Sequence, residues 1–177
     1  MLDKITKAIE YGRDLNADFI DIRYQNKYNA SYQSQDGELT VNSGSRRGFS
    51  TRALVGGAMG FASTTSVELK DLKTIIKNAV SLAKSAASAK KEKISLADVK
   101  SHKDKQISPR IKSLQDISVT DKINLIKEAE KAYKDFEEIK SYSVQYSEII
   151  DDRIIVNSEG TQIEQKTMIP TVGALAV

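Results

Sequence analysis

Apolar residues in this chain recur with two different periods, and the switch between them limits the possible folds more than any other feature. From Ile20 the period is two: Ile20, Ile22, Tyr24, Tyr28, Ala30 and Tyr32 alternate with Asp21, Arg23, Asn29, Ser31 and Gln33. Side chains on a strand point to opposite faces in turn, so this pattern describes a strand with one buried face, the antiparallel habit. Asp36-Gly37 supplies a two-residue hairpin turn, after which Leu39 and Val41 return. Phe49, Thr51, Ala53 and Val55 then alternate with more polar neighbours, Gly56-Gly57 makes a second turn, and Ala58 to Ala62 comes back. Residues 18–63 are predicted to form an antiparallel meander of about four strands.

On either side of that stretch the period is helical. Leu2, Ile5, Ile9 and Gly12 lie three or four apart, giving a short helix with one apolar stripe. A longer stripe runs through Leu69, Leu72, Ile75, Ile76, Ala79, Leu82, Ala83 and Ala86, with Thr65 and Glu68 placed as a capping box before it. The third, through Ile123, Ile126, Ala129, Tyr133 and Phe136, is opened by Thr120 as cap. Each helix is coated on one side and needs a sheet or another helix to cover it.

The plan then recurs. The helix near 120–136 is followed by alternation at Tyr142, Val144 and Tyr146, a polar corner at Asp151-Asp152, the stretch Arg153-Ile154-Ile155-Val156, and a turn at Ser158-Glu159-Gly160. The fold class is therefore α+β: antiparallel meanders flanked by amphipathic helices, in two related helix-plus-strands units. The expected organisation is a first unit at 1–88, a Lys-rich linker at 89–117 and a second unit at 118–177. The second unit ends on the extended apolar run Ile169 to Val177, which reads as a strand cut short.

Charge supports the linker reading. The chain of 177 residues has 27 Lys/Arg against 24 Asp/Glu. Nine of the bases but only three of the acids fall between Lys84 and Lys112, leaving eighteen against twenty-one elsewhere. The positive balance thus belongs to one Ser- and Ala-rich segment, a composition suited to a solvated tether. Without interleaved aromatics, that segment is a poor base-stacking surface, and nucleic acid is not the expected partner. The amino terminus lacks the unbroken apolar stretch of a signal peptide, and no run approaches the ~20 apolar residues of a membrane span. The reading is cytoplasmic, with no membrane partner.

Few residues can carry chemistry. There is no cysteine and one histidine, His102, set among Lys100, Lys103 and Lys105. A pair of imidazoles on one ion is excluded, and neighbouring lysines disfavour a bound cation. Gly56-Gly57-Ala58-Met59-Gly60 lacks the Gly-Lys-Ser/Thr of a phosphate loop and reads as a hairpin. Asp151 and Asp152, adjacent on a strand, face opposite ways and read as a turn rather than an acid–base pair. Arg46-Arg47 could hold a carboxylate or phosphate, or could simply be a charged strand end. Tyr24, Tyr28 and Tyr32 read as packing. The residues themselves nominate no catalytic, cofactor-binding or metal-ligating position.

Taken in order, several segments resemble a known family: Ala17-Asp18-Phe19-Ile20-Asp21-Ile22-Arg23-Tyr24, Gln35-Asp36-Gly37-Glu38-Leu39, Gly48-Phe49-Ser50-Thr51-Arg52-Ala53-Leu54, Gly57-Ala58-Met59-Gly60-Phe61-Ala62-Ser63, and Asn157-Ser158-Glu159-Gly160-Thr161. They look like the amino-terminal portion of the TldD/PmbA family of zinc metallopeptidases, also called modulators of DNA gyrase, with a lean to the TldD type. The resemblance covers most of residues 17–86 and 139–177. It implies peptide-bond hydrolysis in the full-length protein, with zinc held by a His-Glu-x-x-x-His helix beyond residue 177. No site residue carries over to this chain. It also implies a homo- or heterodimer with another TldD/PmbA-type subunit around a cleft that takes peptide or unfolded protein. The segment is then expected to frame substrate and support assembly without a zinc site. The alternatives are a non-catalytic PmbA-type partner or pure interaction module and, last, a nucleic-acid accessory protein.

Overall fold

The computed structural model describes residues 1–134 and 136–177. In chain order the elements are α1 (Leu2–Asp14), β1 (Phe19–Gln35), β2 (Glu38–Val55), β3 (Ala58–Thr64), α2 (Leu69–Ala87), β4 (Lys103–Ile107), a 3-10 turn (Leu114–Asp116), α3 (Val119–Lys134), β5 (Tyr142–Asn157) and β6 (Gln162–Ala176). The strands form a six-stranded sheet in the order β3-β2-β1-β5-β6-β4. The architecture is α+β, as the alternation of periods predicts. The sheet is mixed: Gln162 N–H donates to the His102 carbonyl and Ser108 N–H to that of Lys166, so β4 and β6 run the same way.

The chain divides into two compact units, each assembled from separate segments. One comprises Met1–Asn26, Arg46–Gln106 and Asp152–Gln165; the other comprises Lys27–Ser45, Ile107–Asp151 and Lys166–Val177.

In the first unit the helical stripes lie where the spacing puts them. Ile5, Ala8 and Ile9 of α1 and Leu72, Ile75, Ile76, Ala79 and Val80 of α2 bury against Ile20, Ile22, Phe49, Ala53 and Val156. Ile5, Ile22, Leu72 and Ile76 are wholly buried, and each such side chain is worth about 1.5–3 kcal/mol in apolar burial. Gly60 permits the tight approach of β3 to α2: a Cβ there would lie 1.9 Å from the Ala79 carbonyl oxygen. The hairpin turns fall at Asp36-Gly37 and Gly56-Gly57, all four residues at positive φ.

The second unit packs α3, through Ile126, on Ala30, Tyr32, Val144 and Tyr146. Its helix face also buries two charged residues, Lys122 and Glu130. Lys122 Nζ donates to Glu148 Oε1 at 2.8 Å and to the Leu114 carbonyl at 3.2 Å, and Tyr146 Oη donates to Glu148 Oε2 at 2.8 Å. Ser34 Oγ donates to Glu130. Lys122, Glu130 and Glu148 thus each meet a partner, which burial demands.

Several expectations are corrected. The meander has three strands rather than about four, because β2 runs unbroken from Glu38 to Val55 through Gly44 and Gly48. The only positive-φ glycines here are 37, 56 and 57, so the Gly44–Gly48 stretch contains no turn. Asp151-Asp152 is not a corner but lies within β5, with Asp151 buried. The Thr65–Glu68 capping box does not form: Glu68 is the N-cap and makes no side-chain cap bond. Instead Ser66 Oγ donates to Asp71 and accepts from Glu68 N–H. Ser118 rather than Thr120 caps α3, its Oγ accepting from Asp121 N–H at 3.0 Å. Of the predicted reach to Phe136, Asp135 lies outside the described residues, and Phe136 is exposed past the helix end. Leu82, assigned to the α2 stripe, is also exposed. The Lys-rich 89–117 segment contains β4 and the 3-10 turn. All five β4 residues are exposed, so apolar periodicity could not reveal that strand.

Candidate functional site

The strand alternation that buries Ile20 and Ile22 and half-buries Tyr24 turns Asp21, Arg23 and Gln25 to the other side of the sheet. Asp21 is 3% exposed there. Its Oδ2 accepts Arg52 Nε at 2.8 Å and a second bond from Arg52 Nη2, and lies 3.8 Å from Arg23 Nη2. The hydrogen bond to this carboxylate raises the Arg52 pKa above its already high ordinary value. Asp21 Oδ1 is buried without a hydrogen-bond partner.

Beside this ion pair, in the first unit, lies a cavity of about 830 Å³. Its charged lining is Arg23 from β1, Arg46 and Arg47 from β2, and Arg153 from β5, with no acidic residue among the lining side chains. Ser50, Ser63, Thr64 and Thr65 add hydroxyls, while Tyr24, Phe49 and Ile155 supply apolar surface. The Tyr24 and Phe49 rings pack on each other with centroids 5.4 Å apart. Gly48 lets β2 pass close to the end of β3: a Cβ there would lie 2.2 Å from the Thr64 carbonyl oxygen. The β2–β3 pairing ends nearby at Phe49↔Thr64. Arginine forks within a concave, partly apolar lining are suited to oxyanions, which they can grip with two parallel hydrogen bonds.

The basic spot Arg46-Arg47 thus lines this cavity. Arg23 and Arg153 escaped the sequence reading because neither stands in a local cluster of positive charge. Tyr24 joins the apolar cluster of the first unit, whereas Tyr28 and Tyr32 join that of the second, so all three are packing residues. His102 is exposed, and its backbone carbonyl pairs with β6. The Lys122–Glu148–Tyr146 cluster was also missed, since charged residues inside a helical stripe and a strand carry no signal of their future partner. Burial, then the bond to Glu148, raises the Tyr146 pKa well above that of a free phenol.

A comparison with known proteins now has a geometry to rest on. Residues 20–83 match the PmbA/TldA metallopeptidase domain 1, and residues 112–177 match the PmbA/TldA metallopeptidase central domain. The chain belongs to the TldD/PmbA family. A metalloprotease of Methanocaldococcus jannaschii is 30% identical over 169 residues, covering 92% of this chain and 35% of that protein. Among solved structures, a candidate modulator of DNA gyrase from Bacteroides thetaiotaomicron superposes with a TM-score of 0.77 at 23% identity, covering 97% of this chain and 40% of the other. TldE from Thermococcus kodakarensis superposes with a TM-score of 0.67 at 17% identity, covering 98% and 42%. These two likenesses carry the fold alone. The chain spans between about a third and two fifths of the length of these relatives.

Among the described residues of this TldD/PmbA chain, no group of three or more His, Cys, Asp or Glu is placed to hold a metal ion. No described helix is long and apolar enough to cross a membrane.

Proposed function

We propose that this chain frames a polypeptide substrate and supports subunit pairing in a cytoplasmic TldD/PmbA-type zinc metallopeptidase, while the zinc ligands come from residues outside it. The observation that carries this reading is a strand edge in the second unit. β3 pairs with β2 only from Phe49 to Val55, and β1 occupies the other side of β2. The earlier part of β2 therefore keeps one edge unpaired among the described residues. Glu38 to Ser45 are all exposed, and Thr40-Val41-Asn42-Ser43-Gly44-Ser45 contains neither a charge nor a proline. Sheets ordinarily guard such edges with Lys, Pro or a covering element. An unguarded edge accepts an extended peptide through backbone hydrogen bonds, and those bonds tolerate many side-chain sequences, as a processing enzyme requires.

Hydrogen exchange on the protein with and without an unstructured peptide tests this. Amides of residues 39–45 should exchange at least about threefold more slowly when peptide is bound. Val41→Pro and Asn42→Pro remove neighbouring amides that point to opposite edges, so one of the two should abolish that protection while leaving the hairpin paired. Peptide binding that leaves residues 39–45 unprotected contradicts the proposal.

A further inference from the structure

The cavity in the first unit gives the polypeptide a preferred chemistry. We infer that the pocket lined by Arg23, Arg46, Arg47 and Arg153 is a binding site for acidic peptide, gripping Asp and Glu carboxylates. This inference rests on the framing reading only in taking the ligand to be polypeptide.

Four arginine residues from three strands line one concavity, with no acidic residue in its lining. Arg52 supplies two hydrogen bonds to the Oδ2 of Asp21, and Arg23 pairs with the same oxygen at the longer distance of 3.8 Å. Arg46 and Arg47 are exposed, so their charge is presented to solvent. Like charges gathered on one surface repel one another, and an anion in the concavity relieves that repulsion.

Size and lining decide among anions. A volume of about 830 Å³ is that of a pocket for a substantial ligand and greatly exceeds a single phosphate. Ile155 and Tyr24 offer apolar surface to the methylene stems of glutamate, and four hydroxyl side chains can meet peptide groups. Nucleic acid would need open aromatic faces for stacking. The lining aromatics are instead engaged with each other, and Phe49 is only 2% exposed.

Fluorescence anisotropy with labelled, end-blocked hexaglutamate and hexaglutamine tests the assignment on the protein. Hexaglutamate should bind at least about tenfold more tightly than hexaglutamine, and more weakly as salt is raised. Arg46→Gln/Arg47→Gln, at exposed positions and checked for fold by circular dichroism, should weaken hexaglutamate at least about tenfold. Lys103→Gln/Lys105→Gln, an equal loss of charge on β4, should leave it unchanged. Four results overturn the inference: equal affinity for the two peptides, no hexaglutamate binding, no selective effect of the arginine variant, or tighter binding of a single-stranded oligothymidylate. Displacement by inorganic phosphate at concentrations equal to the peptide would do so too, by assigning a simple anion site. Equal binding of both peptides with residues 39–45 still protected would leave the framing reading standing alone.

Discussion

Lys122→Met is the most informative perturbation of the second unit. The Lys122 side chain is 6% exposed and that of Glu148 is 1% exposed, with Nζ and Oε1 2.8 Å apart. The substitution preserves most of the side-chain volume but strands the Glu148 carboxylate, leaving it one bond from Tyr146. Removing one member of a buried pair costs about 3–5 kcal/mol, most of it the penalty for an uncompensated charge. With a urea m-value of about 2 kcal/mol/M, the unfolding midpoint should fall by roughly 1.5–2.5 M. Lys122→Met/Glu148→Leu removes both charges, so it should be markedly more stable than Lys122→Met alone, with a coupling energy of about 1–3 kcal/mol in the double-mutant cycle. Urea unfolding followed by circular dichroism measures all three variants. A Lys122→Met cost below about 1 kcal/mol, or no recovery in the double variant, would refute a tightly paired buried ion pair.

Two glycines should respond differently to alanine. At Gly60 the new Cβ meets the α2 backbone, so Gly60→Ala should cost about 1–3 kcal/mol or more. At Gly12 the nearest obstacle is Ile20 Cδ1, the end of a flexible side chain, and α1 gains about 0.8–1 kcal/mol in helix propensity. Gly12→Ala should therefore be close to neutral, and thermal melts of the two variants check the contrast. Asp36 is held below the ordinary carboxylate range, chiefly by the Tyr142 N–H and then by Gln35 and Ser141. A depressed folded-state pKa stabilises the fold above the unfolded value and loses that contribution as pH falls through the folded one. Acid titration of wild type below about pH 4 should show this loss. Asp36→Asn should remove that part of the pH dependence and start from lower stability at neutral pH.

Much of the local structure was legible in the residues. The period of two through Ile20, Ile22 and Tyr24 identified β1 and its buried face. Asp36-Gly37 and Gly56-Gly57 marked both hairpins, because the positive φ these turns require is open to glycine and tolerable for aspartate. The α1 and α2 stripes pointed to the core of the first unit. Errors gathered where a local signal had more than one structural meaning. The break expected between the strands at Val41 and Phe49 is absent, because β2 runs on through Gly44 and Gly48; at Gly48 the missing side chain makes room for the Thr64 backbone. Asp151-Asp152 looked like a polar corner, although a strand can bury Asp151.

Which stretches are helix or strand, and which side of each is oily, follows from backbone sterics and water's exclusion of apolar surface. Both act over a few neighbouring residues, so the order of amino acids alone determines them. Long-range pairing determined the rest. Only the assembled fold could set β4 beside β6, match Lys122 with Glu148, or bring Arg23, Arg46, Arg47 and Arg153 to one cavity. Charges and strand edges carry no label naming their distant partners. The partner is chosen when the whole chain finds the arrangement that buries its apolar faces and satisfies its polar groups together.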